Sequence, residues 1–268
     1  MIRNPDDNSK TADPFIHTDG IHNLRDYGGY AARGGQRVVI GKLFRSGQHM
    51  DASDADLDIV QRLDIRTIID LRGLSERDSF PCRRHSDFAA SVIAFDGETS
   101  NSPPHEGGGG PLHMTVKKAR ERMIAVYTRM PDNPAMIDMF SRYLKALANR
   151  DGGSLVHCFA GKDRTGIAAS LLLHILGVAH DDIVAEFLRT NDAPMRTILE
   201  RQSLPRMEKH YDAIDLDALQ DLMGVRPEYI ETYWNKVTTE HGSIDAYLGN
   251  VLGVDERRKN RLRERLLA

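Results

Sequence analysis

Cysteine is scarce in this chain of 268 residues, which holds only Cys82 and Cys158. Two cysteines are too few for a disulfide framework, so the small disulfide-rich scaffolds of secreted proteins are excluded and a reducing compartment is favoured. A cysteine in that setting serves either packing or chemistry. Fibrous and intrinsically disordered chains are excluded as well, because 40% of the residues are hydrophobic and 28% are charged.

An excess of either charge is also absent. The 36 basic side chains against 39 acidic ones give a net charge of -3, so no overall positive field attracts nucleic acid or an anionic membrane surface. A site for an anion must therefore be built locally. We expect no nucleic-acid partner, and the sequence leaves the oligomeric state undetermined.

Long hydrophobic runs are missing too. The longest, from Ile167 to Ala179, is interrupted by His174 and is shorter than the roughly 20 residues that a membrane-spanning helix needs. The stretch MIRNPDDNSKTADPF at the start contains neither the apolar core of a secretory signal nor a basic amphipathic transit pattern. We expect a cytoplasmic protein without integral membrane contact, and leaderless export stays open as an alternative.

Short apolar runs separated by helical patterns predict an α/β fold. A helical period at Asp54–Leu63 lies between the first two runs, and this alternation favours layers of helices on a sheet. Most of the runs are continuous rather than alternating, which is typical of strands buried on both faces. The four predicted strands are Val38–Arg45, Thr67–Leu71, Ser91–Phe95 and Ser154–Phe159.

Polar composition predicts a loose arm at residues 1–20, followed by a single domain at residues 21–268. Within the domain, Gly97–Gly110 has the composition of a flexible loop, and Leu112–Met130 has the spacing of an exposed amphipathic helix. Residues 97–130 are therefore a candidate lid, with a surface helix in an inserted loop as the alternative. Further helices are predicted at Ala135–Ala148, Thr165–Leu176, Asp181–Arg189, Met195–Glu208, Ala213–Leu222, Pro227–Glu240, Ser243–Leu248 and Asp255–Leu267.

One segment, GSLVHCFAGKDRTG at residues 153–166, carries the chemistry of the chain. It has the pattern of an apolar strand, a short turn and the start of an apolar helix. Five residues separate Cys158 from Arg164, so a loop between them can hold the sulfur at its centre and the guanidinium on its rim. Loop amide N–H groups and the positive end of the following helix would together bind a phosphate dianion without a metal.

The same positive field favours a deprotonated sulfur, so Cys158 is the candidate nucleophile. Arg164 offers a planar pair of donors that can hold two phosphate oxygens into the transition state. An ATP-binding loop is excluded, because Val156 stands where that motif needs its first glycine and Asp163 where it needs a hydroxyl. The candidate phosphate-binding residues are Phe159, Ala160, Gly161, Lys162, Arg164 and Thr165.

The neighbours of Cys158 have expected supporting roles. Thr165 would donate a hydrogen bond to the sulfur and ease its departure as a thiolate. Gly161 and Gly166 would allow a tight turn and close backbone approach. Lys162 would add positive charge at the mouth of the site, useful for a substrate with a second phosphate. His157 would orient the loop rather than transfer protons.

HCFAGKDRTG resembles the signature loop of the cysteine-dependent protein tyrosine phosphatases. Its Gly-Lys-Asp-Arg-Thr core resembles a bacterial subgroup of atypical tyrosine and dual-specificity phosphatases that also accept phosphoinositides. The resemblance implies a central, mostly parallel four-stranded sheet surrounded by helices, covalent catalysis through Cys158, and no metal or other cofactor. Further blocks that resemble this subgroup are Asn23–Gly29, Leu43–Gly47, Asp70–Glu76, Phe187–Asp192, Val225–Tyr229, His241–Ser243 and Tyr247–Leu248.

The proton donor for the leaving group has two candidates. The subgroup carries an aspartate inside the loop, which Asp163 matches, and Asp163 is the first choice. Asp96 is the second, because it follows the Ser91–Phe95 strand and strand ends around a parallel sheet reach the substrate crevice. An ordinary aspartate at the start of a loop is the alternative for Asp96.

Other ionisable residues have structural interpretations. Asp70, Arg72 and Glu76 are expected to form an ion-pair network. Cys82 is expected to be an ordinary cysteine, with a redox-protecting pairing to Cys158 as the alternative.

The predicted activity is hydrolysis of phosphomonoesters through a phosphocysteine intermediate. The expected partner is a phosphorylated protein, chiefly on phosphotyrosine, with phosphoserine, phosphothreonine and phosphoinositide substrates also in view. One alternative is a sulfur- or arsenate-handling cysteine enzyme, which the Arg164–Thr165 pair and the helical carboxyl-terminal part disfavour. The other is a catalytically silent phosphate-binding module, which the presence of both Cys158 and Arg164 disfavours.

Overall fold

Seven short strands form two sheets in the described parts of the chain, residues 13–99, 113–194 and 213–268 of the computed structural model. In chain order they are β1 Arg25–Asp26, β2 Leu43–Ser46, β3 Ile65–Asp70, β4 Ser91–Ala94, β5 His113–Met114, β6 Gly153–His157 and β7 Ala213–Ile214. Five of them make the central sheet, in the order β1-β2-β6-β3-β4. Strands β2, β6, β3 and β4 are parallel to one another, and β1 runs antiparallel to β2 at one edge of the sheet.

Ten α-helices surround these sheets within the described residues. In chain order they are α1 Asp54–Arg62, α2 Leu74–Ser79, α3 Val116–Arg129, α4 Pro134–Asn149, α5 Asp163–Ile175, α6 His180–Leu188, α7 Leu216–Met223, α8 Pro227–His241, α9 Ile244–Asn250 and α10 Glu256–Leu266. Local sequence fixes their starts. Ser53 and Asp56 form a reciprocal capping pair at α1, for example. None of these helices has both the length and the apolar character needed to cross a membrane.

The parallel register brings β2, β6 and β3 to a common edge of the sheet. Ser46 and Asp70, the last residues of β2 and β3, both pair with His157, the last residue of β6. Every residue of β6 is buried, as expected of a central strand covered on both faces. The chain that follows His157 therefore emerges at the carboxyl edge, which is where ligands bind in sheets of this kind.

Alternation along the central strands divides the core between the two faces of the sheet. Leu155 and its register partners Ile68 and Phe44 belong to a small cluster that packs against α1. Val156 and its partner Ile69 point the other way, into a larger cluster that includes α3 to α10. A slip of one residue would exchange these two sets, so burial on both faces fixes the register.

The four predicted strands correspond to β2, β3, β4 and β6, and the predicted parallel α/β sheet is confirmed. β2 starts only at Leu43, because Gly41 adopts a φ of 76° that a regular strand does not accommodate. Val38, predicted to begin this strand, makes an isolated bridge to Leu267 instead. The antiparallel edge strand β1 was not predicted, since two residues carry no recognisable strand period.

The predicted candidate lid helix is α3, and one face of it is packed into the domain. Ala119, Met123 and Tyr127 follow one another at intervals of four residues and are all buried. α3 packs against α7 and α8, and β5 and β7, which lead into α3 and α7, pair in parallel. The expectation of an exposed helix is therefore wrong for this face. Closure of residues 97–130 over a substrate stays a prediction.

Some predicted segments lie outside the described residues. The helix Met195–Glu208 does so entirely, and the loop Gly97–Gly110 does so beyond residue 99. The predicted arm is described from residue 13 onward. In this part the Gly20 N–H donates to the Asp56 carboxylate at 2.8 Å, so residues 13–20 are attached to the start of α1.

Candidate active site

The loop at residues 158–162 connects β6 to α5 at the carboxyl edge of the sheet. Cys158 follows β6 directly and is 3% exposed. α5 begins at Asp163, and the Gly166 N–H donates to the Lys162 carbonyl at 2.8 Å in its first turn. The N–H groups ahead of Gly166 have no partner within the helix, so α5 directs its positive end at the loop.

Two glycines allow the loop to lie against the body of the protein. Gly161 has a φ of +69°, and an added Cβ would lie 2.4 Å from the backbone carbonyl of Ser46. An added Cβ at Gly166 would lie 2.7 Å from the ring of Phe187. No side chain fits at either distance, which agrees with the close backbone approach that the sequence predicted.

A buried ion cluster lies beneath the loop. Arg25 and Arg45 are fully buried and flank the equally buried Glu186 of α6. Arg25 Nε and Arg45 Nη1 donate to the two oxygens of this carboxylate, at 2.8 and 2.7 Å. Two guanidinium groups against one carboxylate leave one net positive charge in the interior. Burial and the neighbouring Arg45 lower the pKa of Arg25 to about 10, so the side chain is still charged at neutral pH.

The cluster is bonded to the loop itself. The Gly161 carbonyl accepts hydrogen bonds from Arg45 Nη2 at 2.9 Å and from Asn23 Nδ2 at 2.8 Å, and the Phe159 carbonyl accepts one from the Gln48 N–H at 2.9 Å. With these carbonyl oxygens held by protein donors, the loop can present its N–H groups to an anion. The sequence assigned Asn23 and Arg45 no individual role, although an arginine inside a buried strand is a signal for one.

Arg164 is held by an acidic partner of its own. Its Nη1 and Nη2 donate to the two carboxylate oxygens of Glu76, at 2.5 and 2.7 Å. Nη1 also donates to the Leu71 carbonyl at 3.1 Å and to the Thr99 hydroxyl at 3.0 Å. Burial alone would lower the pKa of Arg164, but Glu76 outweighs burial and raises it. The guanidinium is therefore charged and fixed in orientation.

Fixing Nη1 in this way leaves one edge of Arg164 available. No described residue accepts a hydrogen bond from Nε or from the second N–H of Nη2. These two donors lie on the same side of the planar guanidinium, which is the side that binds two oxygens of a phosphate in parallel. Glu76 thus orients Arg164 without occupying the edge of the guanidinium that can bind an anion.

The expected ion-pair network of Asp70, Arg72 and Glu76 is divided between two places. Asp70 pairs with Arg72, whose Nε and Nη2 donate to it at 2.9 and 2.7 Å. Glu76 pairs with Arg164 instead and also accepts the Gly73 N–H at the start of α2, at 3.0 Å. The role of Glu76 beside the loop was missed because it lies 88 residues before Arg164.

The two candidate proton donors have different surroundings. Asp163 is the first residue of α5, and its Oδ1 accepts a hydrogen bond from the Tyr127 hydroxyl at 2.7 Å. Lys162 Nζ lies 3.4 Å from the same oxygen. Asp96 is exposed beyond the end of β4 and forms no hydrogen bond with any described residue. The sequence did not identify Tyr127 as a site residue, since its spacing in α3 indicated only packing.

Lys162 does not present its charge at the mouth of the site, as the sequence suggested. The side chain is buried, and its Nζ donates to the carbonyl oxygens of Leu222 and Gly224 at 2.5 and 3.0 Å. These carbonyls belong to the carboxyl end of α7, where the helix itself offers no donors. The expected role toward a second phosphate is therefore corrected to a link between the loop and α7.

The remaining loop residues vary in exposure. Phe159 and Ala160 are half-buried, and the Phe159 ring meets the edge of Phe80 with 4.9 Å between ring centroids. Thr165 is fully buried, and its hydroxyl has no hydrogen-bond partner among the described residues. The expected hydrogen bond from Thr165 to the Cys158 sulfur is therefore not formed in this structure.

His157 lies behind the loop and is fully buried. Its Nδ1 is 3.3 Å from the Cys158 carbonyl, which can only accept, so we assign the proton to Nδ1. Burial lowers the pKa of His157 to about 4, although Asp70, 3.7 Å from Nε2, opposes this shift. The imidazole is neutral at neutral pH, in agreement with a supporting role.

His157 and two neighbouring side chains are residue types that can bind a metal ion. Asp70, Cys82 and His157 offer an oxygen, a sulfur and a nitrogen within 4.8 Å of one another. Arg72 Nη2 lies in the same cluster, where it donates to Asp70 at 2.7 Å and to Cys82 Sγ at 3.1 Å. Because the guanidinium already neutralises these ligands, we assign no metal to them. Cys82 and Cys158 are both free thiols.

A cavity of about 330 Å³ lies away from this site. Its lining includes Lys42, Thr67 and Gly153, which are near the amino ends of β2, β3 and β6. The loop lies at the opposite, carboxyl ends of the same strands. The cavity therefore takes no part in the chemistry of Cys158.

Comparison with known proteins identifies the family to which this loop belongs. A sequence model of the tyrosine phosphatase family matches residues 16–268. The chain belongs to the tyrosine phosphatase family. Membership confirms the family recognised from HCFAGKDRTG and the expected class of enzyme, a phosphatase.

Relatives align along most of this tyrosine phosphatase. A protein of Cupriavidus necator that is named as a tyrosine-protein phosphatase is 33% identical over 88% of this chain and 84% of its own. The triple specificity protein phosphatase PtpB of Mycobacterium tuberculosis is 28% identical over 92% of this chain and 97% of its own. The crystal structure of P. aeruginosa TpbA matches weakly, with 15% identity and a TM-score of 0.27 over 78% of this chain and 97% of that one. We draw no conclusion from the last.

The substitution Glu186→Gln tests the ion cluster beneath the loop. It keeps the size of the side chain but leaves Arg25 and Arg45 buried without a carboxylate, so the free energy of unfolding should fall by about 3–5 kcal/mol. Urea unfolding at pH 7 measures the change. The control is Glu231→Gln, whose partner His180 is exposed and whose effect should stay below about 0.5 kcal/mol. Equal effects in the two variants would contradict the prediction.

Acid should destabilise the protein through His157. Its pKa is about 4 in the folded protein and 6.5 in an exposed histidine, so between these values the unfolded chain binds a proton that the folded chain does not. The free energy of unfolding therefore falls as the pH decreases from 6.5 toward 4. Urea titrations at pH 7 and pH 5 measure this fall, which should be smaller by about 2 kcal/mol in His157→Gln. An unchanged pH dependence in the variant would count against it.

Proposed function

We propose that this phosphatase hydrolyses phosphomonoesters on proteins, chiefly phosphotyrosine, through a phosphocysteine intermediate. The observation that carries the proposal is the position of Cys158 between β6 and the positive end of α5, above a cluster with one net positive charge. This local field suits both a phosphate dianion and a sulfur nucleophile, and it needs no metal. Membership of the tyrosine phosphatase family supports the same reaction.

In the first half-reaction, Cys158 Sγ attacks phosphorus. The sulfur–phosphorus bond forms while the bond from phosphorus to the leaving oxygen breaks, and Asp163 gives its proton to that oxygen. The free edge of Arg164 and the loop N–H groups bind the other phosphate oxygens and the charge that develops on them. The products are the dephosphorylated hydroxyl and a phosphocysteine.

In the second half-reaction, water attacks the phosphorus of the phosphocysteine. The Asp163 carboxylate takes a proton from this water, the sulfur–phosphorus bond breaks, and its electron pair returns to Cys158 as a thiolate. Inorganic phosphate leaves. The enzyme is thereby returned to its starting state with Asp163 protonated and the sulfur ionised.

The substrate range is supported by two separate observations. Phe80 and Phe159, packed edge to face beside Cys158, offer an apolar surface to the ring of phosphotyrosine. One relative is named a triple specificity protein phosphatase, which supports a substrate range wider than phosphotyrosine alone. Because Lys162 is bonded to α7, it gives a second phosphate no support, and we place phosphoinositides behind phosphotyrosine.

Hydrolysis of an aryl phosphate in excess EDTA tests the proposed mechanism. The unaltered, reduced protein should turn over at the same rate with and without EDTA, and Cys158→Ser should abolish turnover. Cys82→Ser is the matched control and should keep its activity, because Cys82 contacts Arg72 and the His49 N–H rather than the loop. Phosphate binding without turnover in the unaltered protein would favour a silent phosphate-binding module instead.

A comparison of leaving groups tests the proton donor. Asp163→Asn should lower kcat by about 10²–10⁴ for phenyl phosphate, whose leaving oxygen needs a proton. It should have a much smaller effect on 2,4-dinitrophenyl phosphate, whose leaving group departs as an anion. Asp96→Asn should leave both rates unchanged. If Asp96→Asn shows the dependence on the leaving group and Asp163→Asn does not, Asp96 is the proton donor instead.

A further inference from the structure

A buried tyrosine of α3 reaches the phosphate loop. The Tyr127 hydroxyl donates to Asp163 Oδ1 at 2.7 Å, and the tyrosine is fully buried. Burial, together with the facing Asp163 carboxylate, raises the pKa of Tyr127 well above its ordinary value. The phenol therefore stays protonated throughout the working pH range and acts as a donor.

Packing against two aromatic rings fixes the position of the Tyr127 ring. It stacks on Tyr229 of α8, with 5.7 Å between ring centroids, and meets Phe187 of α6 edge to face at 6.1 Å. Phe187 is also the ring against which Gly166 of α5 lies. The Tyr127 hydroxyl is thus held relative to the first turn of α5 by side chains that are themselves buried.

The two oxygens of Asp163 are in unequal environments. Oδ1 accepts from Tyr127 and lies 3.4 Å from Lys162 Nζ. No described residue donates to Oδ2. A carboxylate rotates about a broad, roughly two-fold torsion when nothing holds it. A hydrogen bond to Oδ1 removes that freedom and determines which oxygen is available for proton transfer.

We propose that Tyr127 is a positioning residue for proton transfer by Asp163. It anchors Oδ1, so that Oδ2 carries the proton to the leaving oxygen and later receives one from water. This inference rests on the proposed function, in which Asp163 is the proton donor. It gives α3, the candidate lid helix, a direct part in the arrangement of the catalytic carboxylate.

Several other polar and charged groups surround Asp163. The titratable and charged groups that face Asp163 are Tyr127 of α3, Tyr229 of α8, and Lys162 and Arg164 beside it. Tyr127→Phe removes the donor to Oδ1 and leaves these other groups in place.

The test compares Tyr127→Phe with the unaltered enzyme on two esters. The phenylalanine keeps the ring packing and loses only the hydroxyl. We expect kcat for phenyl phosphate to fall about tenfold with little change in KM, and the rate for 2,4-dinitrophenyl phosphate to stay within about twofold. Tyr247→Phe is the matched control, because Tyr247 is equally buried and donates to the Pro131 carbonyl at 3.0 Å.

Several outcomes would overturn the inference. These are unchanged kinetics in Tyr127→Phe, an equal loss on both esters, or a change in KM with kcat unaltered. Asp163→Asn, measured alongside, distinguishes this failure from failure of the proposed function. If the loss of activity in Asp163→Asn does not depend on the leaving group, Asp163 is not the proton donor and that part of the proposed function fails. The double variant with Tyr127→Phe should lose no more activity than Asp163→Asn alone, since the hydroxyl acts only through that carboxylate.

Discussion

The Glu186 carboxylate between two buried guanidinium groups is the interaction on which the phosphate loop depends. It holds Arg25 and Arg45, and Arg45 in turn holds the Gly161 carbonyl. Two unopposed arginines would be too costly to bury, whereas a fully neutralised cluster would leave no field for an anion. The ratio of two cations to one carboxylate meets both constraints directly under a loop that must attract phosphate.

A second carboxylate, Glu76, supports the same anion site by orientation rather than by charge. Negative charge near a phosphate is unfavourable in itself, yet here it immobilises one edge of Arg164 and leaves the other edge available to an anion. Glu76 comes from α2, 88 residues before Arg164, and Glu186 comes from α6, the helix that follows α5. The carboxyl edge of the parallel sheet is the place where these elements meet, so the fold is a condition for the electrostatics.

The sequence predicts the parts of this site that lie within one short segment, and it does not predict contacts between segments that are far apart in the chain. HCFAGKDRTG contains the sulfur, the arginine, the glycines and the helix start, and the requirements of an anion loop confine all of them to one short segment. Lys162 was misassigned because the sequence does not tell whether an ammonium meets water or the carbonyl groups of a helix that begins over 50 residues later. The pairing of Glu76 with Arg164 and the contact of Tyr127 with Asp163 were missed for the same reason, since both join elements that are far apart in sequence.

The lack of space around Gly161 has a consequence for how enzymes of this kind diversify. A side chain there would collide with the backbone at Ser46, so the loop cannot change at this point unless a strand of the sheet moves with it. An enzyme with this loop and this contact can therefore change its substrate preference through side chains that surround the loop, but not through a side chain at position 161.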